Sequence, residues 1–163
     1  MTEPAIPLKE FDEEMAGTRR TLERVPEDRG DWKPHEKSFP LGHLAQLVAT
    51  MPGWFAPSLH EPYIDIAAGS GYSMQSTATL LGIFDEGVRS AREALETVTG
   101  NALQEPWSLK RGEMVLFTSP RGEVVRNHLS HLVHHRAQLT VYLRLLDVPV
   151  PALYGPSADE RVF

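Results

Sequence analysis

Asn127-His128-Leu129-Ser130-His131-Leu132-Val133-His134-His135-Arg136 places four of the chain's seven histidines within eight positions. The stretch decides the reading because it lies inside a long segment of helical period. Val124, Val125, Leu129, Leu132, Val133, Leu139, Tyr142 and Leu143 supply its apolar side. On a helix, residues four apart share a face. With ~100° per residue, His131 and His135 stand about 40° apart, whereas His134 is turned ~100° from His135. His131 and His135 therefore form a natural chelating pair for a metal ion, since neutral imidazole is the commonest metal-binding side chain. His128 and His134 are then groups at the rim or supports behind the ligands, candidates for orienting a ligand or moving a proton. The opposing reading is a helix that is merely histidine-rich on a polar face. The apolar flanks weigh against it, because unpaired imidazoles beside a core are costly.

Working outward, the helix runs from about Arg121 to Asp147, and Val148-Pro149-Val150-Pro151 ends it. Three further helices are predicted. Leu8, Phe11, Met15, Thr18, Leu22 and Val25 mark one over 8–25. A second, over 40–55, starts at Pro40 with Ser38 as a cap, carries His43 among Leu41, Leu44 and Leu47, and is interrupted at Pro52-Gly53. A third, over 76–99, is closed by Gly100. Residues 56–76, with proline, glycine and small polar side chains, read as an irregular connection. Met114-Val115-Leu116-Phe117, between two glycines, reads as a β-arm near 112–118 or an extended loop. The expected fold is all-α: an antiparallel four-helix bundle, one domain over residues 1–163.

Composition narrows the function classes. With 22 acidic and 16 basic residues the net charge is −6, so a nucleic-acid partner is not expected. Cysteine is absent, which removes disulfides, thiolate ligands and a cysteine nucleophile, and fits a cytoplasmic protein. No apolar run reaches the ~20 residues of a membrane span. The start, Met1-Thr2-Glu3-Pro4, lacks the features of a signal peptide. A first-row ion needs a donor beyond the pair, and His43 is the obvious one, although a single histidine in an apolar helix is commonly a hydrogen-bonded core residue. Arg136 pairs either with a helix carboxylate or with an anionic substrate. Asp12, Glu13 and Glu14 form a solvated face from which one carboxylate can orient a ligand histidine. His35 and His60 are surface residues. Trp54 lies near the end of the His43 helix and can line a pocket.

Several elements in order then resemble the DinB-like superfamily of bacterial metal-binding four-helix bundles. His131-Leu132-Val133-His134-His135-Arg136-Ala137-Gln138-Leu139 is similar to its N-H-x-x-H-H-R-G-Q-L element, with Ser130 in place of Asn and Ala137 in place of Gly. Trp32-Lys33-Pro34 through Ser38 resembles its W-x-P-x-x-x-S element, and Leu41-Gly42-His43-Leu44-Ala45 matches the place of its first metal-binding histidine. The resemblance implies zinc or nickel held by His43, His131 and His135, and a homodimer. It also implies kinship with bacillithiol transferases and mycothiol-dependent maleylpyruvate isomerase. The expected activity is a metal-dependent S-transfer from a low-molecular-weight thiol to a small-molecule substrate, with His134 and Arg136 as candidate catalytic residues. The alternatives are ester or amide hydrolysis by a metal-activated water, and a non-catalytic, stress-related metal-binding module.

Overall fold

The spacing of Phe11, Met15, Thr18 and Leu22 becomes the buried stripe of α1, Leu8–Leu22. The computed structural model describes residues 6–67, 69 and 71–161. The chain start at residues 1–4, with its expected lack of a signal peptide, lies outside them. α2, Leu41–Thr50, begins directly after Pro40, whose φ of −58° suits a helix entry. Ser38 does not cap it; its N–H is bonded to the His35 carbonyl at 2.9 Å instead. Pro52-Gly53 falls in a 3₁₀ turn, Met51–Trp54, that hands the chain to a short helix, α3, Phe55–His60. α4, Thr77–Thr97, is capped by Ser76, whose hydroxyl accepts from the Thr79 N–H at 3.2 Å. It ends before Gly100, because Val98 already turns extended. Gly87 lets α4 lie against the turn: a Cβ there would meet the Gly53 nitrogen at 2.8 Å. α5, Arg121–Leu145, stops where Asp147 adopts a φ of +58° and the Val148 N–H bonds back to the Leu143 carbonyl.

The all-α expectation is corrected by a three-stranded sheet. β2, Pro106–Arg111, pairs antiparallel with β3, Met114–Pro120, so the arm is a hairpin rather than a loop. β1, Tyr63–Asp65, lies parallel to β2, with Tyr63 opposite Ser108. This strand and α3 occupy the segment expected to be irregular. β1 is too short to show a period of two, and its partner lies beyond the whole of α4, the crossover that parallel pairing requires. Asp65 secures the hairpin tip by accepting from Gly112 N–H at 3.0 Å and Ala67 N–H at 2.8 Å. Those two bonds hold its carboxyl below the usual range.

The protein is thus mostly helical, with a small sheet. One cluster of buried side chains draws on all five helices, from Phe11 and Leu22 through Leu44, Phe55 and Phe84 to Leu132 and Tyr142. α5 packs on α1, α2 and α3, and the sheet leans on α3 and α5. Among the described residues no helix is long and apolar enough to cross a membrane.

Candidate metal centre and adjoining pocket

α5 turns His131 and His135 toward each other, as the four-residue spacing requires. Their Nε2 atoms are 2.8 Å apart. One turn further on, Gln138 Oε1 lies 2.7 Å from His135 Nδ1. An amide oxygen only accepts, so Nδ1 carries the proton and the His135 Nε2 lone pair faces His131. Burial holds the His135 pKa below its ordinary value, and neighbouring His134 and His43 add to this against the opposing bond from Gln138. His131 is lowered by burial and then by His135 and His134. Both rings are thereby kept in the neutral form that binds metals.

His43 lies half-buried on α2, on the side of this pair. Phe39 stacks flat on it, with ring centroids 4.2 Å apart, and lies 6.5 Å from the His135 ring. The Tyr72 ring lies tilted against it, centroids 5.1 Å apart. Tyr72 is brought there by a close approach: Met74 packs where a Cβ on Gly42 would sit, at 2.7 Å. Among the described residues, no three His, Cys, Asp or Glu side chains are close enough together to hold an ion. The fold joins two of the expected donors, and the third, His43, stands near enough to His135 to lower its pKa. The donor chemistry fits a divalent ion that accepts imidazole nitrogen, because the His135 tautomer is fixed by Gln138 and both rings are neutral.

His131 also borders a pocket of about 490 Å³. Ile64, Trp107, Leu109 and Phe117 form its sheet wall, α5 contributes Val124 and His128, and Trp54 and Tyr72 close the sides. His128 lies behind the pair rather than at its rim, the inner of the two places its position allowed. It sits against Trp54, Phe55 and Trp107, and its Nε2 is 2.9 Å from Ser58 Oγ. Burial, with a smaller contribution from His131, pushes its pKa down to about 4. The seven-residue step from His128 to His135 is two helical turns, ~20° on the wheel, and was the available signal for this placement. Ser58, which meets His128, and Trp107, which lines the pocket, had no such signal, since each comes from a segment distant in sequence.

His134 is exposed, its ring 5.0 Å from that of His135. Arg136 turns away from the pair and is 2% exposed. Its guanidinium bonds Glu14 Oε2 at 2.7 Å, the Glu14 carbonyl at 3.0 Å, Thr18 Oγ1 at 3.2 Å and the Tyr154 hydroxyl at 2.5 Å. Of its two sequence alternatives, the structure adopts the helix carboxylate. The α1 acids are likewise engaged away from the histidines: Asp12 with Arg92 and Glu13 with Lys9. His35 and His60 are exposed, as expected.

Known proteins share this frame. The chain is 23% identical over 155 residues to the uncharacterised protein YrdA of Bacillus subtilis, covering 94% of this chain and 89% of that protein. The crystal structure of the DinB-like protein YjoA from B. subtilis superposes with a TM-score of 0.68 at 19% identity, over 88% of this chain and 94% of that one. A DinB-like protein from Bacillus cereus gives the same TM-score and identity over 90% and 95%. These two likenesses concern the fold. Residues 8–161 match the sequence profile of the DinB family, from the start of α1 through the tail that Arg136 anchors, and the chain belongs to that family.

Proposed function

We propose that the protein is a divalent-metal-dependent transferase that joins a low-molecular-weight thiol to a small electrophile. The observation that carries this reading is the His131–His135 pair, its tautomer anchored by Gln138, beside an apolar pocket. His131 and His135, with His43 as third donor, would hold zinc or nickel. When bound, such an ion keeps a thiol sulfur as thiolate at neutral pH. The chain has no cysteine, so the sulfur belongs to the co-substrate. A carbon–sulfur bond forms as the leaving group departs with its electron pair, and the thiol proton passes to solvent. His134, exposed and with its ring 5.0 Å from that of His135, would carry that proton. The chain's apolar walls hold the electrophile and exclude water. Arg136 contributes by fixing α5 against α1. The same reading places the protein in the cytoplasm as a homodimer with helix faces in the interface.

Hydrolysis is the weaker reading because the pocket has no Asp or Glu among its described lining residues to serve as general base. The test begins with metal analysis of protein purified without a histidine tag. Conjugation of electrophiles is then followed against thiol concentration, with and without restored metal. Saturable, metal-dependent conjugation that is lost in His131→Ala supports the transferase. Metal-dependent ester or amide cleavage without thiol makes the protein a hydrolase. No turnover, with metal raising only the melting temperature, makes it a non-catalytic metal-binding module.

A further inference from the structure

We infer that Tyr72 is a positioning residue of the candidate metal centre: a two-glycine notch seats Met74, and Met74 carries the Tyr72 ring onto His43, the third expected donor. The inference rests on the proposed reading only in taking His43 as a donor. A ligand histidine needs something to fix its ring. For His135 that is Gln138, whose Oε1 lies 2.7 Å from Nδ1. Among the described residues, the His43 ring has no hydrogen-bond partner. What orients it is ring packing, with Phe39 stacked flat at 4.2 Å and Tyr72 tilted at 5.1 Å. His43 and the α5 pair are not yet close enough together to hold one ion, so ligation asks His43 to close on the pair. A ring freed of these two neighbours would turn into rotamers that face away, and would lose more freedom on ligation.

Tyr72 reaches His43 because α2 is notched immediately beside it. Gly42 precedes His43, and its N–H donates to the Gly30 carbonyl at 2.9 Å, which brings the two glycines together. Met74 fills the space that both leave. A Cβ on Gly30 would stand 2.5 Å from Met74 Cβ, and one on Gly42 would stand 2.7 Å from Met74 Cα and 2.8 Å from its nitrogen. The second clash is with backbone, which no side-chain rotamer relieves. The Ser73 N–H donates to Gln46 Oε1 at 2.7 Å and ties the same loop to α2 one turn beyond Gly42. Tyr72 is the next residue along, and it lines the pocket together with His131. A substrate in the pocket therefore meets the side chain that holds the third donor.

The test is a zinc competition titration of the full chain, with circular dichroism to show that each variant folds. Tyr72→Ala should weaken zinc binding about tenfold, the lower end of the range for groups that orient a metal ligand. Tyr72→Phe should stay within about threefold of wild type, because the ring and not the hydroxyl makes the contact. Gly42→Ala, which unseats Met74, should weaken zinc binding to a similar extent. In metal-free protein it should also speed exchange of the Ser73 amide at least about tenfold. In a His43→Ala background the ring to be positioned is gone, and Tyr72→Ala should change zinc affinity by less than about twofold. Unchanged affinity in Tyr72→Ala overturns the inference. So does an equal loss in the His43→Ala background, since the effect then does not run through His43. If Gly42→Ala fails to fold, Met74→Ala takes its place, and unchanged zinc affinity there overturns the role of the notch. Unchanged affinity in His43→Ala itself removes the third donor and this inference with it, while the α5 pair and the transferase reading stand. Absence of thiol conjugation with the cycle intact does the reverse, rejecting the transferase and leaving Tyr72 in place. Absence of zinc binding by the wild type at micromolar concentration overturns both.

Discussion

Replacing Arg136 by methionine should destabilise the protein by ~3–5 kcal/mol, the cost of removing one partner from a buried ion pair. Arg136 is 2% exposed and the side chain of its partner Glu14 only 15%, so the remaining carboxylate would keep its charge in a poorly hydrated place. The substitution also deprives the Glu14 carbonyl, Thr18 Oγ1 and the Tyr154 hydroxyl of their donor. It releases the tail, since Tyr154 reaches α1 through this guanidinium and through Glu14, to which it donates at 2.9 Å. Methionine fills much of the volume of the arginine stem, so the loss reports the polar network rather than a cavity. With a urea m-value of ~2 kcal/mol/M, the midpoint should fall by roughly 2 M. Glu14→Gln in the same background should recover part of the loss, giving a coupling of at least ~1 kcal/mol in a double-mutant cycle. Metal titration of the folded variant should match the wild type. A loss below ~1 kcal/mol would refute the packing role. If such a stable variant also failed to bind substrate, Arg136 would be a ligand-binding residue.

Gln138→Ala should weaken zinc or nickel binding by about 10- to 100-fold in a competition titration, because it frees the His135 tautomer; unchanged affinity would remove Gln138 from the site. His131→Ala and His135→Ala should each abolish tight metal binding, whereas His134→Ala should leave it intact and slow turnover by ~10²–10⁴-fold if that ring carries the proton. The His128 pKa is about 4 in the fold and ~6.5 when unfolded, so the unfolded chain takes up the proton first as pH falls. Its contribution is complete above ~6.5 and is lost toward pH 4, a fall of roughly 3 kcal/mol, and His128→Gln should flatten urea midpoints over that window relative to wild type. Light scattering at micromolar concentration should give a dimer mass; a monomer would remove the proposed interface.

What the residues determined alone was local. The three- and four-residue apolar steps mark α1, α2, α4 and α5, because a helix repeats its environment every 3.6 residues whatever it packs on. The same geometry sets His131 beside His135, and the glycine-bounded apolar run of β3 marked a β-arm or extended loop, which the pairing with β2 makes a hairpin. Every remaining feature depends on contacts between distant segments. β1 has three residues and pairs across α4, so neither its period nor its partner is visible locally. Ser58 meets His128, and Trp107 joins Trp54 around the pocket, only once α3, β2 and α5 have packed together. His43 shows the division most clearly. Its place on a helix follows from its neighbours, but its stacking on Phe39 and its nearness to His135 are set by the approach of α2 and α5. Arg136 is the converse case: adjacent to His135 in sequence, it turns ~100° away on the wheel and is buried against α1. Spacing chooses which side chains share a face, and tertiary packing decides what that face meets.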